Sequence, residues 1–355
     1  MKKISNILKV FTIAVICVSS IIITSKEKTA YANSYSEVVI EKISGRVLHQ
    51  VNQNAKLPMA STTKILTAIT VIDNFPLDKI VAVPKECQGV EGSSIYLKEG
   101  DKFSVQDLLY GLMLRSGNDS AKTLAVCLSG SQEEFVFLMN VTAKKCGAVN
   151  SNFTNPHGLH DQNHYTTALD LALITRYALQ NPTFAKIVQA KSYVATELNS
   201  GEKRVWKNKN KMLFNYEGAT GVKTGYTKKA GRCLVSSAKR NGMEVISVVL
   251  NVSNMFEKSQ QLLNEAFDNY DLVKIIDSKK FDYKIPNVEK SEYYSLYVNG
   301  DVYYPIEKNE RLEIELDLPK HLDFTPKQNQ KVGEIKIYSS KQLIFLKNIY
   351  TLINN

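Results

Sequence analysis

Three strand-like segments crowd into the stretch from Gly218 to Leu250, and they limit the fold more than anything else in the chain. Residues 222–225, 233–239 and 244–250 read as strands, and Asn241-Gly242 between the last two has the sequence of a tight hairpin turn. A second hairpin is predicted far upstream, from residues 36–43 and 46–51 about Ser44-Gly45. Between these ends the apolar spacing is helical: after Ser61, and over 105–114, 119–128, 132–146 and 167–179, with a last helix expected over 257–276. Residues 75–105 read as irregular, with short strands near 80–83 and 94–97, and 152–164 as a loop rich in Asn, His and Gly. Strands at both ends with helices between them predict an α+β domain, one antiparallel sheet packed by helices.

The chain has 355 residues, enough for a second domain. From residue 281 the pattern becomes short alternating strands with turn signals such as Asn299-Gly300, a small all-β domain. Residues 1–32 read as a secretory leader: Lys2, Lys3 and Lys9, an uncharged apolar run over 10–23, and Ala30-Tyr31-Ala32 as the cleavage site. The gap from Ile23 to Ala32 is long, so retention as an N-terminal anchor stays open. The predicted organisation is leader 1–32, main domain 33–276 and β domain 277–355.

Net charge is +10, of which the leader holds +4, so the exported part is moderately basic. That suits an anionic wall or headgroups, and peripheral contact with either stays open. No dense basic stripe with interleaved aromatics speaks for nucleic acid. Cys87, Cys127, Cys146 and Cys233 follow the leader without a C-x-x-C, which argues against a metal cluster. One disulfide is conceivable in an exported chain, with buried free thiols expected at Cys127 and Cys233.

The chemistry begins at Ser61. The segment Pro58-Met59-Ala60-Ser61-Thr62-Thr63-Lys64 runs into a buried helix, so Ser61 and Lys64 share one face of its first turn. There the unpaired backbone N–H groups and the helix dipole favour an oxyanion, and the lysine can take the serine proton. Ser-x-x-Lys alone is weak, since it also occurs at Ser25, Ser200 and Ser236, and Ser61 could be only a cap. Two further motifs lie downstream in order. Ser116-Gly-Asn118 is the one Ser-x-Asn in the chain, and Lys223-Thr224-Gly225 the one Lys-Thr-Gly, on a predicted strand. Taken singly, the first could be an inter-helix turn and the second a solvated strand.

The trio is the signature of penicillin-recognising serine enzymes. The chain resembles the low-molecular-mass penicillin-binding proteins, the serine-type D-alanyl-D-alanine carboxypeptidases, over about residues 35–270. The similarity runs through 44–68, 108–125, 153–172 and 221–242, and more weakly through the β domain. It implies the penicillin-binding, β-lactamase-like transpeptidase fold and a reaction without metal or organic cofactor. Ser61 would attack the penultimate D-alanine carbonyl of peptidoglycan stem peptides ending in D-Ala-D-Ala, and β-lactams would acylate it. Lys64 would be the base, its pKa lowered by burial and a nearby Lys223. Ser116 would relay a proton to the leaving amine, and Asn118 would hold the substrate amide and Lys64. Lys223 and Thr224 would bind the terminal carboxylate, and Gly225 would leave room for the substrate backbone. The N–H groups of Ser61 and Tyr226 would form the oxyanion hole.

Members of the family often carry a basic residue after the third strand, where only Lys258 is available here. No amphipathic C-terminal helix is expected. A β-lactamase, a DD-endopeptidase and a non-catalytic wall-binding module stay open as alternatives. No glutamate motif of the class A β-lactamase kind lies between Asn118 and Lys223. His157, His160 and His164 could also be read as zinc ligands.

Overall fold

The computed structural model describes residues 35–352, so the expected leader lies outside the described residues. Strands β1 (Ser36–Glu41) and β2 (Val47–Val51) form the first hairpin. A 3-10 turn, Ala60–Thr63, leads into α1 (Lys64–Asn74). Next come β3 (Ile80–Ala82) and β4 (Lys102–Ser104), which pair, and then α2 (Val105–Arg115), α3 (Asn118–Ser129) and α4 (Gln132–Lys145). After a loop come α5 (Ala168–Gln180) and α6 (Pro182–Gln189), the hairpin β5 (Ser192–Thr196) and β6 (Lys203–Lys207), and a single turn, α7 (Met212–Asn215). The three expected strands are β7 (Ala219–Thr227), β8 (Gly231–Arg240) and β9 (Met243–Leu250), followed by α8 (Met255–Asn269).

The first and last strands of the domain meet in one antiparallel sheet, ordered β2-β1-β9-β8-β7. Asn241 and Gly242 have φ of +48° and +84°, the pair of left-handed residues a two-residue hairpin of the strands' own twist requires. Every residue of β9 except Glu244 is buried, because helices cover both sheet faces. Leu262, Leu263 and Ala266 of α8 pack on Val39, Leu234, Val245 and Val249, while α5 and α6 pack across β1, β9 and β7. The strand β7 is at the sheet's edge, with one side unpaired by the sheet.

Two expectations change. Residues 94–97 are not a strand: their N–H groups at Ile95 and Leu97 bond to the Asp119 carboxylate instead of a neighbouring strand. The last helix stops at Asn269, and Tyr270–Ile276 is a strand, β10. Its sequence, Tyr-Asp-Leu-Val-Lys-Ile-Ile, is rich in side chains that prefer the extended chain. It pairs with β13 (Val302–Glu307), beyond β11 (Tyr283–Asn287) and β12 (Glu292–Val298). With β14 (Leu312–Asp317), β15 (Lys331–Ser339) and β16 (Gln342–Leu352), the C-terminal region is all β, as expected, in a sheet ordered β11-β12-β16-β15-β14. Its own core is Ile285, Leu296, Val298, Ile335, Ile337 and Ile349.

One arginine ties the two regions. Arg46, after the β1 turn, donates to Pro305 O at 2.6 Å and forks onto Glu310 at 2.7 and 2.9 Å. Its guanidinium also lies 5.2 and 5.1 Å from the Tyr270 and Tyr304 ring centres. Arg46→Ala takes the charged partner from a half-buried Glu310 carboxylate, which keeps only neutral donors such as the Glu307 N–H, at a cost of about 2 kcal/mol. Limited proteolysis should then cut the C-terminal region faster; equal cleavage of variant and parent would contradict this role for Arg46.

Candidate active site

Ser61 lies in the 3-10 turn that opens α1. Hydroxyls build this turn: Thr62 Oγ1 donates to Met59 O (2.7 Å) and Thr63 Oγ1 to Ala60 O (2.8 Å). Ala60, just before the serine, has φ +50°, a left-handed conformation that costs a residue with a Cβ about 1 kcal/mol or more. The helix behind it is buried over Lys64–Val71, all round rather than on one stripe, so it is the central helix of the domain.

Lys64 is wholly buried. Its Nζ has three oxygen neighbours: Asn118 Oδ1 at 2.6 Å, His157 O at 2.6 Å and Ser61 Oγ at 3.1 Å. The first two can only accept. The third is a hydroxyl, which can donate. A neutral amine satisfies this set with two N–H donations and a lone pair facing the serine proton. Burial pushes the Lys64 pKa well below its usual range, and the charge of Lys223 pushes the same way. Lys223, 2 % exposed, is itself brought down to about 7, by burial first and by Lys209 second.

Ser116 and Asn118 come from the junction of α2 and α3. Ser116 ends α2 with φ +64° and is buried; Asn118 opens α3. Asn118 is held from both ends, its N–H on Ser93 O (2.7 Å) and its Nδ2 on Glu91 O. Asp119 fastens that covering segment: its carboxylate accepts from Ser94 Oγ (2.6 Å) and from the N–H groups of Ile95 and Leu97.

The Lys-Thr-Gly motif lies on the edge strand β7 beside the Ser61 turn. Lys223 Nζ donates to Thr224 O at 3.0 Å. A Cβ on Gly225 would meet Met59 O at 3.0 Å and the backbone nitrogens of Ser61 and Thr62 at 3.1 Å. The glycine is therefore required first by the approach of the Ser61 turn to the strand. Tyr226, next along, is exposed, with Arg232 of β8 at 5.8 Å from its ring centre.

The histidine loop is structural around this site. His164 Nδ1 accepts from Thr154 N–H (3.0 Å), and its Nε2 lies 2.8 Å from Thr63 Oγ1, whose own proton goes to Ala60 O. Nε2 thus carries the hydrogen, and both ring nitrogens are engaged within the protein. Burial lowers His164 to about 4 and His157 to about 3, so both are neutral. The zinc alternative fails on this geometry.

Lys258 does not supply the extra cation; it faces Glu37 of β1 at 3.6 Å. The cation whose charge lowers the pKa of both Lys64 and Lys223 is Lys209, of which spacing gave no sign. Its N–H bonds to Leu114 O, which fixes residue 209 to the end of α2. The His157 carbonyl was equally unreadable, since a backbone atom has no sequence signal. All four cysteines described are free thiols; Cys233 is buried as expected, while Cys127 is partly exposed.

An antiparallel sheet flanked by helices, with Ser-x-x-Lys at the central helix, Ser-x-Asn at a helix junction and Lys-Thr-Gly on the edge strand, defines the penicillin-binding class of fold. The chain belongs to the D-alanyl-D-alanine carboxypeptidase family, whose profile matches residues 23–254. Residues 270–354 match the C-terminal domain of penicillin-binding protein 5. The chain is 36 % identical over 245 residues to D-alanyl-D-alanine carboxypeptidase DacF of Bacillus subtilis, and 35 % identical over 252 residues to DacC of Escherichia coli. Each alignment takes in 66 % of this chain and 62 % of the relative, so this chain spans less than two thirds of their length. A crystal structure of penicillin binding protein 5 from Haemophilus influenzae superposes with a TM-score of 0.79 at 27 % identity, over 89 % of this chain and 96 % of that one.

Proposed function

We propose that the protein is a serine-type D-alanyl-D-alanine carboxypeptidase acting on peptidoglycan stem peptides, and that penicillins acylate it at Ser61. The observation that carries this reading is the set of oxygens about the buried Lys64 Nζ, two acceptors and one serine hydroxyl. The neutral amine takes the Ser61 proton as Oγ attacks the penultimate D-alanine carbonyl. The N–H groups of Ser61 and Tyr226 receive the oxyanion. As the C–N bond breaks, the proton passes from Lys64 through Ser116 to the departing D-alanine. Water, deprotonated by Lys64, then releases the shortened peptide from the ester.

Substrate binding in this reading uses the free edge of β7. The peptide backbone lies along it, Asn118 holds an amide, and Lys223 and Thr224 take the terminal carboxylate. Lys209 adds positive charge in place of the expected Lys258. The leader 1–32 would export the chain, with 33–276 as the peptidase unit and 277–355 as the β domain. Among the described residues no helix is long and apolar enough to cross a membrane.

Two lysines in one site give the pH dependence its sign. Lys64 must be neutral and Lys223 charged. Below the lowered Lys64 pKa the base is protonated; above about 7, Lys223 of the free enzyme loses its charge. For D-alanine release, kcat/KM should therefore be bell-shaped with an alkaline limb near 7. A bound carboxylate holds the proton on Lys223, so the limb for kcat should lie higher. If both alkaline limbs fell near the ordinary lysine value of about 10.4, the assignment of Lys223 would be wrong.

Intact mass of the protein mixed with penicillin, followed over time, tests the whole reading. One persistent adduct on the Ser61 peptide is expected. Rapid loss of the adduct with accumulating hydrolysed drug would make the protein a β-lactamase. Folded protein with no adduct would leave the wall-binding module.

A further inference from the structure

The hairpin β5–β6 was not expected, and its outer face has no task in the chemistry above. Its inner face is anchored: Tyr193 stacks on Tyr110 at 3.6 Å between ring centres, and Ala195 and Trp206 are buried. The register pairs Ser192 with Lys207, Val194 with Val205 and Thr196 with Lys203. Side chains alternate along a strand, so Lys203, Val205 and Lys207 share the face turned to solvent. Val194 and Val205 are 53 % and 61 % exposed there. Lys191, Lys209 and Lys211 are exposed at the base of the hairpin.

Charge is concentrated here. Seven basic residues and two carboxylates lie between Lys186 and Lys211, a local excess of five against ten for the whole chain. Neither carboxylate offsets the outer lysines. Glu197 is buried and accepts from Lys102 N, Ser200 N and Ser200 Oγ. Glu202 is paired with Arg204, which also holds Asp101. Among the described residues, Lys203, Lys207 and Lys209 have no ion-pair partner. They follow one another along the chain towards the cleft, Lys203 and Lys207 on the outer face of β6 and Lys209 just beyond it, its backbone tied to the end of α2 two residues before Ser116.

We propose that this row is a docking track for a linear phosphodiester polymer, of the kind that lies among the peptides of an anionic cell wall. Lysine is the fitting cation for such a partner. An ammonium is a point charge that needs no fixed approach, whereas arginine's planar fork selects bidentate carboxylate or phosphate. A flexible chain with one charge per repeat can settle on Lys203, Lys207 and Lys209 without a rigid pocket. A lipid surface fits less well. Two valines on a short hairpin give little apolar depth, and interfacial binding favours broad apolar faces with aromatic anchors. The track would hold wall material at the mouth of the cleft. That advantage rests on the proposed function, while the binding itself does not.

The test titrates the full chain into labelled synthetic poly(glycerol phosphate) at several salt concentrations. Binding should weaken steeply with salt, as counterion release requires. The double substitution Lys203→Gln with Lys207→Gln should cut affinity about ten-fold or more and flatten the salt dependence. Lys320→Gln with Lys341→Gln, on the β domain, should bind like the parent. Release of D-alanine from a short soluble peptide should be equal in all three, which shows that they are folded and separates this proposal from the catalytic one. Equal polymer binding by the hairpin variant overturns the track. So does a parent that ignores the polymer, whether it binds phosphatidylglycerol vesicles instead or neither.

Discussion

Lys64→Met is expected to slow penicillin acylation by about 10^4-fold or more while the protein stays folded. The loss follows from the position of Nζ, which lies 3.1 Å from Ser61 Oγ and is the basic atom hydrogen-bonded to it among the described residues. Methionine matches the length of the stem and fills the same buried space, but has no proton to exchange. Its effect on stability is the sum of two opposed parts. The acceptors Asn118 Oδ1 and His157 O lose their donor, at about 1–3 kcal/mol each. Against this, the fold no longer desolvates an amine that prefers to be charged. The sign of that second part is fixed by the lowered pKa. Between the folded value and the ordinary value near 10.4, the unfolded chain binds more protons than the folded one. Stability of the parent therefore rises with pH across that window, and the penalty is full below it. The variant should lose much of this pH dependence, keeping the part due to Lys223. Stopped-flow acylation and melting at several pH values measure both effects. Acylation within ten-fold of the parent would remove Lys64 as the base.

How far the sequence was legible depends on where each part of the site keeps its information. Ser61, Lys64, Ser116, Asn118 and Lys223 are side chains at short fixed spacings, and the sheet's hairpin turns are spelled by Ser44-Gly45 and Asn241-Gly242. These parts could be read. The hairpin β5–β6 alternates correctly, but lysine and arginine stand at three of the five positions of β6, and only Trp206 marks its buried side. The strand β10 hides in the tail of an amphipathic helix because Ala266, Tyr270 and Val273 sustain helical spacing; its pairing with β13 decides the matter. The left-handed Ala60 and the His157 carbonyl are set by tertiary packing, which overrides local preference. The reason for Gly225 is of the same kind: the resemblance assigned it to the substrate, while the Ser61 turn already requires it.

Gly158→Ala should be the most damaging single methyl group in the histidine loop. Gly158 has φ +88°, and a Cβ there would stand 2.0 Å from Ala60 O and 2.9 Å from Thr63 Oγ1. Ala60 is the residue before the nucleophile, and His157, the residue before Gly158, holds Lys64 through its carbonyl. The clash is with backbone on one side and with the catalytic cradle on the other, so neither can give way alone. Relief requires the loop and the Ser61 turn to separate, which also disturbs the bond from His164 to Thr63. Gly130→Ala is the control. Gly130 has φ +85° with nothing within 4 Å of the added carbon, so it reports the conformational strain alone, about 1–2 kcal/mol. Gly158→Ala should cost at least about 2 kcal/mol more than that. It should also slow acylation about 10^2-fold, the usual result of moving reacting groups by about 1 Å. Gly130→Ala should acylate at the parental rate. Equal melting shifts in the two variants, with both acylating normally, would show that the loop and the nucleophile's turn are not packed as tightly as the site requires.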